Sequence, residues 1–183
     1  MATRKHRRRR LRNIGLERLE TRRLPAVFVV TDSSDSPFGE GTLRTSILFA
    51  NQNPGPDTIE FNIPGNSGPL VLVPSTPLPA ITEAVLIDGT SQPGYFGIPV
   101  VAIDGSSAGT GPVTSGIVIV SPGVEIRGLS IVGFDGAGVD ILGPGASRVH
   151  SSYIGISPNG SPLPNGIGIR ITDSASNTIG GSL

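Results

Sequence analysis

GIVIV at residues 116–120, followed by VEIRGLSIVG at residues 124–133, is the segment from which the fold can be inferred. Similar glycine-led strands start again at residues 138 and 168, spaced by 22 and then 30 residues, the longer spacing arising from an inserted loop at residues 157–165. Short strands that recur at a fixed period are typical of solenoids. Alternate Ile and Val side chains would point inward and stack on parallel neighbours. We therefore predict an all-β fold, a parallel β-helix with three short strands in each coil of about 22 residues.

Composition agrees with an ordered chain rather than a disordered one. The 183 residues suffice for one domain with a core. The 26 glycines and 17 prolines approach the range of disordered chains, but the β-branched residues arrive in short, regular runs that a disordered chain lacks. No cysteine is present, which excludes disulfides and thiolate metal sites but leaves the compartment open.

Charge divides the chain after residue 23. Residues 1–23 hold ten basic residues and two acids, and the rest holds four arginines and twelve acids, so the two parts carry about +8 and −8. Such a leader could bind nucleic acid or an anionic membrane surface, begin an export signal, or be a solvated tail. Residues 26–30 are too short for the apolar part of a secretory signal, and no segment approaches the roughly 20 apolar residues of a membrane span. Nucleic acid is the least favoured partner, because the leader lacks interleaved aromatics and the acidic body would repel a polyanion.

One helix is predicted in the body of the chain. Leu43, Ile47 and Ala50 repeat at helical spacing, with Thr42 or the glycine before it as the N-cap and Asn51 near the end. We expect this helix to cover the apolar end of the stacked strands.

The N-terminal third resembles a known family of surface proteins. LERLETRRL at residues 16–24 is similar to the leader box L-E-x-L-E-x-R-x-L of many very large secreted bacterial proteins. GTLRTSI at residues 41–47 and DTIEFNIPG at residues 57–65 resemble the C-S-L-R-E-A-I type of N-terminal module in the right-handed parallel β-helix repeat family of such proteins. The Leu-Arg and Ile positions of that box are kept, whereas its Cys, Ser, Glu and Ala are replaced.

Later segments extend the resemblance. IDGTSQPGY at residues 87–95 and NTIGG at residues 177–181 are similar to repeats of the same family. The resemblance implies a single-stranded, right-handed, pectate-lyase-like β-helix and a secreted or cell-surface location. We divide the chain into an export-type basic leader at 1–24, expected to be disordered, a part with the capping helix and first turns at 25–110, and coils at 111–183. No C-terminal cap is visible, so we expect a fragment, a truncated reading frame, or an edge that self-associates end to end.

Asp88 and Asp104 are the candidate metal ligands. Both precede a glycine in the repeated IDG motif and could align on one face as calcium ligands. An aspartate before a glycine more often closes an Asx turn. Asp135 and Asp140 flank a glycine corner at residues 136–138 and could pair with each other, although solvated turn residues are the more common case. No other cofactor is predicted.

Three arginines and a tyrosine are the candidate glycan-binding residues. Arg127, Arg148 and Arg170 fall at similar phases of successive coils and could bind anionic glycans together with Tyr153, or they could be spaced solubilising charges. His150 has no serine–acid arrangement at recognisable spacing, so no catalytic residue is predicted. We expect a structural or adhesive surface protein that binds polysaccharide or cell-envelope components. The alternatives are a polysaccharide-binding module, a polysaccharide lyase or glycoside hydrolase, and a nucleic-acid-binding tail on a passive body.

Overall fold

The computed structural model describes residues 24–65 and 68–181. The predicted disorder of the leader at 1–24 therefore lies outside the described residues, except for Leu24. The elements are β1 (Val27–Val30), α1 (Leu43–Gln52), β2 (Asp57–Phe61), β3 (Leu70–Leu72), β4 (Val85–Asp88), β5 (Val101–Asp104), β6 (Ile117–Ile119), β7 (Glu125–Arg127), β8 (Leu129–Val132), β9 (Ala137–Ile141), β10 (Arg148–His150), β11 (Tyr153–Ile154), β12 (Ile167–Ile171) and β13 (Thr178–Ile179), with short 3-10 turns at Gly89–Ser91 and Gly105–Ser107.

The strands form three sheets in which all pairs are parallel. The six-stranded sheet has the order β1-β2-β4-β7-β10-β13, the four-stranded sheet β11-β8-β5-β3, and the three-stranded sheet β12-β9-β6. From β4 onward the chain enters these sheets in turn. Each strand therefore pairs with strands that lie far away in sequence, and register between them decides which side chains become neighbours.

Alternating side chains build the core. In the six-stranded sheet Ile59, Ile87, Ile126 and Val149 occupy one register row and are buried. The residues on either side of each point to the other face, because successive side chains of a strand alternate. Burying a row of large aliphatic side chains removes apolar surface from water, which is the main stabilising term for such a sheet.

Helix α1 begins where its N-terminal residues provide a capping box. The Oγ1 of Thr42 accepts from the backbone N–H of Thr45 at 3.2 Å, and the Oγ1 of Thr45 accepts from the backbone N–H of Thr42 at 3.2 Å. The apolar residues Leu43, Ile47 and Ala50 are buried against β1 and β2. The helical spacing in the sequence thus appears as one face of α1, packed on the first two strands.

The predicted fold class, an all-β, right-handed, pectate-lyase-like parallel β-helix, is wrong for the described residues. They form a mixed architecture of three small parallel sheets of unequal size and one α-helix. Strands of the six-stranded sheet begin at Val85, Glu125, Arg148 and Thr178, so the spacing of 40 residues between the first two departs from the predicted coil of about 22 residues. The physical reason is that two parallel neighbouring strands must be joined by a crossover connection. The glycines at the corners between strands do not determine the length of that connection. The first crossover, from β1 to β2, is α1 itself.

A glycine is required at the corner between β7 and β8. Gly128 has φ +68, in the left-handed region, and a Cβ there would lie 2.7 Å from the backbone nitrogen of Thr90. Glycine avoids both the strain and the clash. The corner lets the chain pass from Arg127 in one sheet to Leu129 in the next.

Candidate functional site

The outer face of the six-stranded sheet gathers most of its charged side chains. Register places Glu60, Asp88, Arg127 and His150 in one row across β2, β4, β7 and β10. Glu125 and Arg148 lie opposite each other in the next row on the same face. We call these six residues the charged row. It is the candidate site, because it is where the described residues bring acids, bases and an imidazole together.

Asp88 and Arg127 form the centre of the charged row. The Nε and Nη2 of Arg127 donate to the two carboxylate oxygens of Asp88 at 2.9 and 2.7 Å, a bidentate pair. The backbone N–H and the hydroxyl of Thr90 also donate to Asp88 Oδ1, at 3.0 and 2.6 Å. Burial alone would raise the pKa of Asp88, but these hydrogen bonds and the guanidinium charge outweigh burial and lower it. The hydrogen bonds to Asp88 likewise raise the pKa of Arg127.

Glu125 is shared by three cationic or polar neighbours. Its Oε1 lies 3.0 Å from His150 Nε2 and 3.8 Å from Arg127 Nη1, and its Oε2 accepts from Arg148 Nη1 at 3.3 Å. Arg148 is the most exposed of these partners, with 55% of its side chain accessible. One carboxylate therefore links β7 to β10 while leaving most of one guanidinium open to solvent.

His150 is held by both ring nitrogens. Its Nδ1 lies 3.2 Å from the hydroxyl of Ser151 and its Nε2 faces Glu125, which gives a hydroxyl–imidazole–carboxylate sequence. The sequence did not reveal this arrangement, because Glu125 lies 25 residues from His150 and only strand register brings them together. The order of groups matches that of a catalytic triad, but the imidazole is just 5% exposed and Glu125 is shared with two arginines. The arrangement orients the imidazole and ties two strands.

The backbone of Ser151 has a structural explanation. Its φ of 50 lies in the left-handed region, a conformation that can mark a strained catalytic residue. Ala146, Asp173 and Ser176 share that conformation, with φ between 49 and 59. A repeated corner geometry between strands therefore accounts for Ser151.

A second ion pair lies on the three-stranded sheet. Arg170 of β12 lies opposite Asp140 of β9, and its Nε and Nη2 donate to the two carboxylate oxygens, the first at 2.9 Å. The hydroxyl of Ser115 also donates to Asp140, at 3.3 Å. Hydrogen bonding to Asp140 raises the pKa of Arg170. This pair occupies both carboxylate oxygens of the residue that the sequence offered as a partner for Asp135.

The two calcium candidates are not brought together. Asp88 ends a strand of the six-stranded sheet and Asp104 ends a strand of the four-stranded sheet. Each side chain accepts from the backbone N–H two residues on, which is the Asx-turn geometry, at Thr90 and at Ser106. Asp88 is already neutralised by a guanidinium, so its oxygens do not fit a calcium ligand set. Within residues 24–65 and 68–181, no group of three His, Asp or Glu side chains could hold a metal ion.

The glycan-binding candidates divide among all three sheets. Arg127 and Arg148 lie on neighbouring strands of the six-stranded sheet, Arg170 on the three-stranded sheet and Tyr153 on the four-stranded sheet. The three arginines therefore do not form one ladder. Arg127 and Arg170 are each engaged bidentately by a carboxylate, which leaves Arg148 as the arginine with the most accessible guanidinium among the three.

Among the helices that the structure describes, none is of the length and apolar character needed to cross a membrane. A scan against protein-family models found no match, and a search of curated proteins found no match either.

Proposed function

We propose that the described body is a rigid scaffold of a secreted or cell-surface protein, structural or adhesive, with no catalysis of its own. The observation that supports this most is the pairing of charged side chains across neighbouring strands. Arg127 forms an ion pair with Asp88, and Arg170 forms one with Asp140. Glu125 contacts both His150 and Arg148. Groups engaged in this way tie strands together.

The energetics of these pairs suit a scaffold. The carboxylates of Asp88 and Asp140 are largely inaccessible, at 10% and 4% of their side chains, so each needs its guanidinium. Removing one partner of a fully buried ion pair costs roughly 3–5 kcal/mol, since a desolvated charge is left without its counter-charge. The cost is lower for these two pairs, because the side chains of Arg127 and Arg170 are 26% and 32% exposed. Such pairs join neighbouring strands within the six-stranded and the three-stranded sheet, and they make a stiff body on which loops can present binding groups.

The cell-surface part of the proposal has separate support. The box at residues 16–24 resembles the leader of large secreted bacterial proteins. The test is fractionation of bacterial cells that produce the full chain with a C-terminal tag. We expect the chain in the envelope or the medium. Recovery wholly in the cytoplasm contradicts the location.

Glycan binding is a second candidate, favoured by one observation. The side chain of Arg148 is 55% exposed and makes one 3.3 Å contact with Glu125, so its remaining N–H groups can meet an anionic sugar. We would incubate the full chain with pectin, alginate and a neutral glucan, with and without calcium, and follow both polymer length and retention. Retention on the acidic polymers that Arg148→Gln abolishes would support glycan binding, with Arg148→Lys, which keeps the positive charge, as the matched control. Shortening of any polymer contradicts the non-catalytic scaffold.

A further inference from the structure

The tripeptide Pro-Asn-Gly occurs twice in the chain, at residues 158–160 and 164–166. In an asparagine followed by glycine, the side-chain amide carbon lies within reach of the next backbone nitrogen, and glycine has no side chain to obstruct the approach. These two groups can react to close a five-membered ring. Because both copies contain the same reacting groups, the fold determines which of them is free to react.

The first copy lies at the tip of a short hairpin. Ile156 and Pro162 form an antiparallel bridge, and the loop between them contains Asn159 and Gly160, both of which are exposed. Gly160 has φ +84, and a Cβ placed on it would meet no atom within 4 Å. Its N–H donates to the carbonyl of Ser157 at 2.8 Å. A hydrogen bond at an exposed loop tip opens at a low cost in free energy, and opening releases the nitrogen of Gly160.

The side chain of Asn159 is bound through its oxygen. Its Oδ1 accepts from the hydroxyl of Ser157 at 2.7 Å and from the backbone N–H of Ser161 at 2.9 Å. The same hydroxyl lies 2.9 Å from the carbonyl of Ser161, so its single hydrogen is divided between two acceptors. Donors on a carbonyl oxygen stabilise the negative charge that develops there when a nucleophile attacks the carbon. The hydrogen bonds that Asn159 forms with described residues thus favour attack on its Cγ and leave its Nδ2 unheld.

The second copy is held at both reacting groups. Asn165 is half-buried, its Oδ1 accepts from the N–H of Phe134 at 3.0 Å, and its Nδ2 donates to the carbonyl of Ile131 at 2.9 Å. The N–H of Gly166 donates to the carbonyl of Phe134 at 2.8 Å. A Cβ on Gly166 would lie 2.1 Å from the carbonyl oxygen of Asp135, so this backbone is closely packed. The attacking nitrogen and the leaving nitrogen are therefore both tied to the same neighbouring segment.

We propose that Asn159 is a site of spontaneous covalent modification, at which the side-chain amide is lost as ammonia. The backbone nitrogen of Gly160 gives its proton to hydroxide and attacks Cγ of Asn159, which forms a new C–N bond. The bond between Cγ and Nδ2 breaks, Nδ2 takes up a proton and leaves as ammonia, and a succinimide ring remains. Water then adds to one of the two ring carbonyls and opens the ring. Opening at one carbonyl gives aspartate, and opening at the other gives isoaspartate, in which the main chain runs through Cβ.

The modification changes the loop in two ways. Either product adds a carboxylate to a body that already carries about −8. Isoaspartate also lengthens the main chain by one methylene, so the hydrogen bond from Gly160 to Ser157 is expected to break. Pro158 of the same loop lines a groove of about 330 Å³. Conversion of Asn159 therefore alters one wall of that groove.

The test incubates the full chain at mildly alkaline pH and follows both tripeptides by mass spectrometry after digestion. Conversion of an amide to a carboxylate raises the mass of the residue, and fragmentation assigns the gain to position 159 or 165. We expect conversion at position 159 to be at least about tenfold faster, because position 165 must first break its hydrogen bonds. A methyltransferase specific for isoaspartate should label position 159. Equal rates at the two positions, or no conversion at position 159, overturn the proposal.

Unfolding and a matched variant separate the fold from the local sequence. In urea that unfolds the chain, both positions should convert at similar rates, since each asparagine is then followed by an exposed glycine. A difference that persists in urea would come from the neighbouring residues and would contradict the role of the fold. Asn159→Gln keeps an amide at this position but would have to close a larger ring, so no mass gain is expected there. A gain at that position in Asn159→Gln would contradict attack by the nitrogen of Gly160.

Discussion

The two ends of the six-stranded sheet differ in how far they bury the same register row of side chains. Ile59 on β2, next to the α1 end, is 0% exposed, whereas Ile179 on β13, in the same register row, is 45% exposed. The three-stranded sheet repeats this, because Ile141 of β9 is buried and its register partner Ile171 of β12 is exposed. The comparison teaches that burial in these sheets depends on the element that covers a strand, not on residue type or on position within the strand.

The largest expected effect comes from truncating the two isoleucines of that row. Ile59→Ala should lower the free energy of unfolding by about 2–5 kcal/mol, because it leaves a cavity in a packed core, whereas Ile179→Ala should cost about 1 kcal/mol or less. Urea unfolding of the full chain, followed by circular dichroism, gives both values. Equal losses would mean that Ile179 is also covered in solution, so that the two ends of the sheet do not differ. Sedimentation would show whether a second copy covers it, as expected for end-to-end association.

Two arginines at opposite ends give the next effect. Arg44 donates to both oxygens of Asp35 and to the carbonyls of Thr76 and Pro77, and its side chain is largely buried. Arg170 has the single carboxylate partner described above and is one-third exposed. Arg44→Met should therefore cost about 3 kcal/mol, since it strands buried acceptors, and Arg170→Met about 1–2 kcal/mol. A larger loss of unfolding free energy from Arg170→Met than from Arg44→Met would show that the end opposite α1 is the more rigid one.

Much of the local structure could be predicted from the sequence, because it depends on neighbouring residues. The spacing of Leu43, Ile47 and Ala50 indicated α1, and Thr42 is its N-cap. The glycine-led runs indicated short strands such as Ile117–Ile119 and Ala137–Ile141. Periodicity and capping act over a few residues, so they are visible in the chain itself.

The sheet arrangement and the charged row could not be predicted, because both depend on register between distant strands. Asp88 and Arg127 are 39 residues apart, and Glu125 and His150 are 25 residues apart. The three arginines recur at similar positions of the repeated segments in the sequence but lie on two different sheets. The reason is that the connections between strands differ in length, so the same position in a segment can fall on a strand of a different sheet. Family resemblance at short motifs did not supply these lengths, and the fold class inferred with its help was wrong.

A smaller effect isolates the helix that distinguishes the covered end. Thr42→Ala removes the side-chain acceptor of the capping box and should cost about 1 kcal/mol of unfolding free energy. Thr42→Ser, which keeps the hydroxyl, is the matched control and should cost less. The comparison is sharpened if Thr42→Ala also raises the exchange rate of amide hydrogens in β1 and β2 while leaving β12 and β13 unchanged. Uniform loss of protection would mean that both ends unfold together.

The smallest expected effect is the loss of stability at low pH at the end of the sheet that α1 covers. Burial alone would raise the pKa of Asp35, but hydrogen bonds from Arg44 and Ser75 outweigh it and hold the pKa below its ordinary value. A carboxylate whose pKa is lower in the folded state stabilises the fold fully above its unfolded pKa of about 4, and this contribution is lost as the pH falls through the folded value. Between pH 6 and pH 3, Asp35→Asn should therefore lose less unfolding free energy than the unmodified chain, by on the order of 1 kcal/mol. Asp32→Asn, at a fully exposed aspartate in the same loop, is the control and should change the pH dependence less. If the two variants show the same pH dependence, the ion pair of Asp35 with Arg44 does not stabilise the α1 end of the sheet. The difference between the two ends then comes from apolar packing alone.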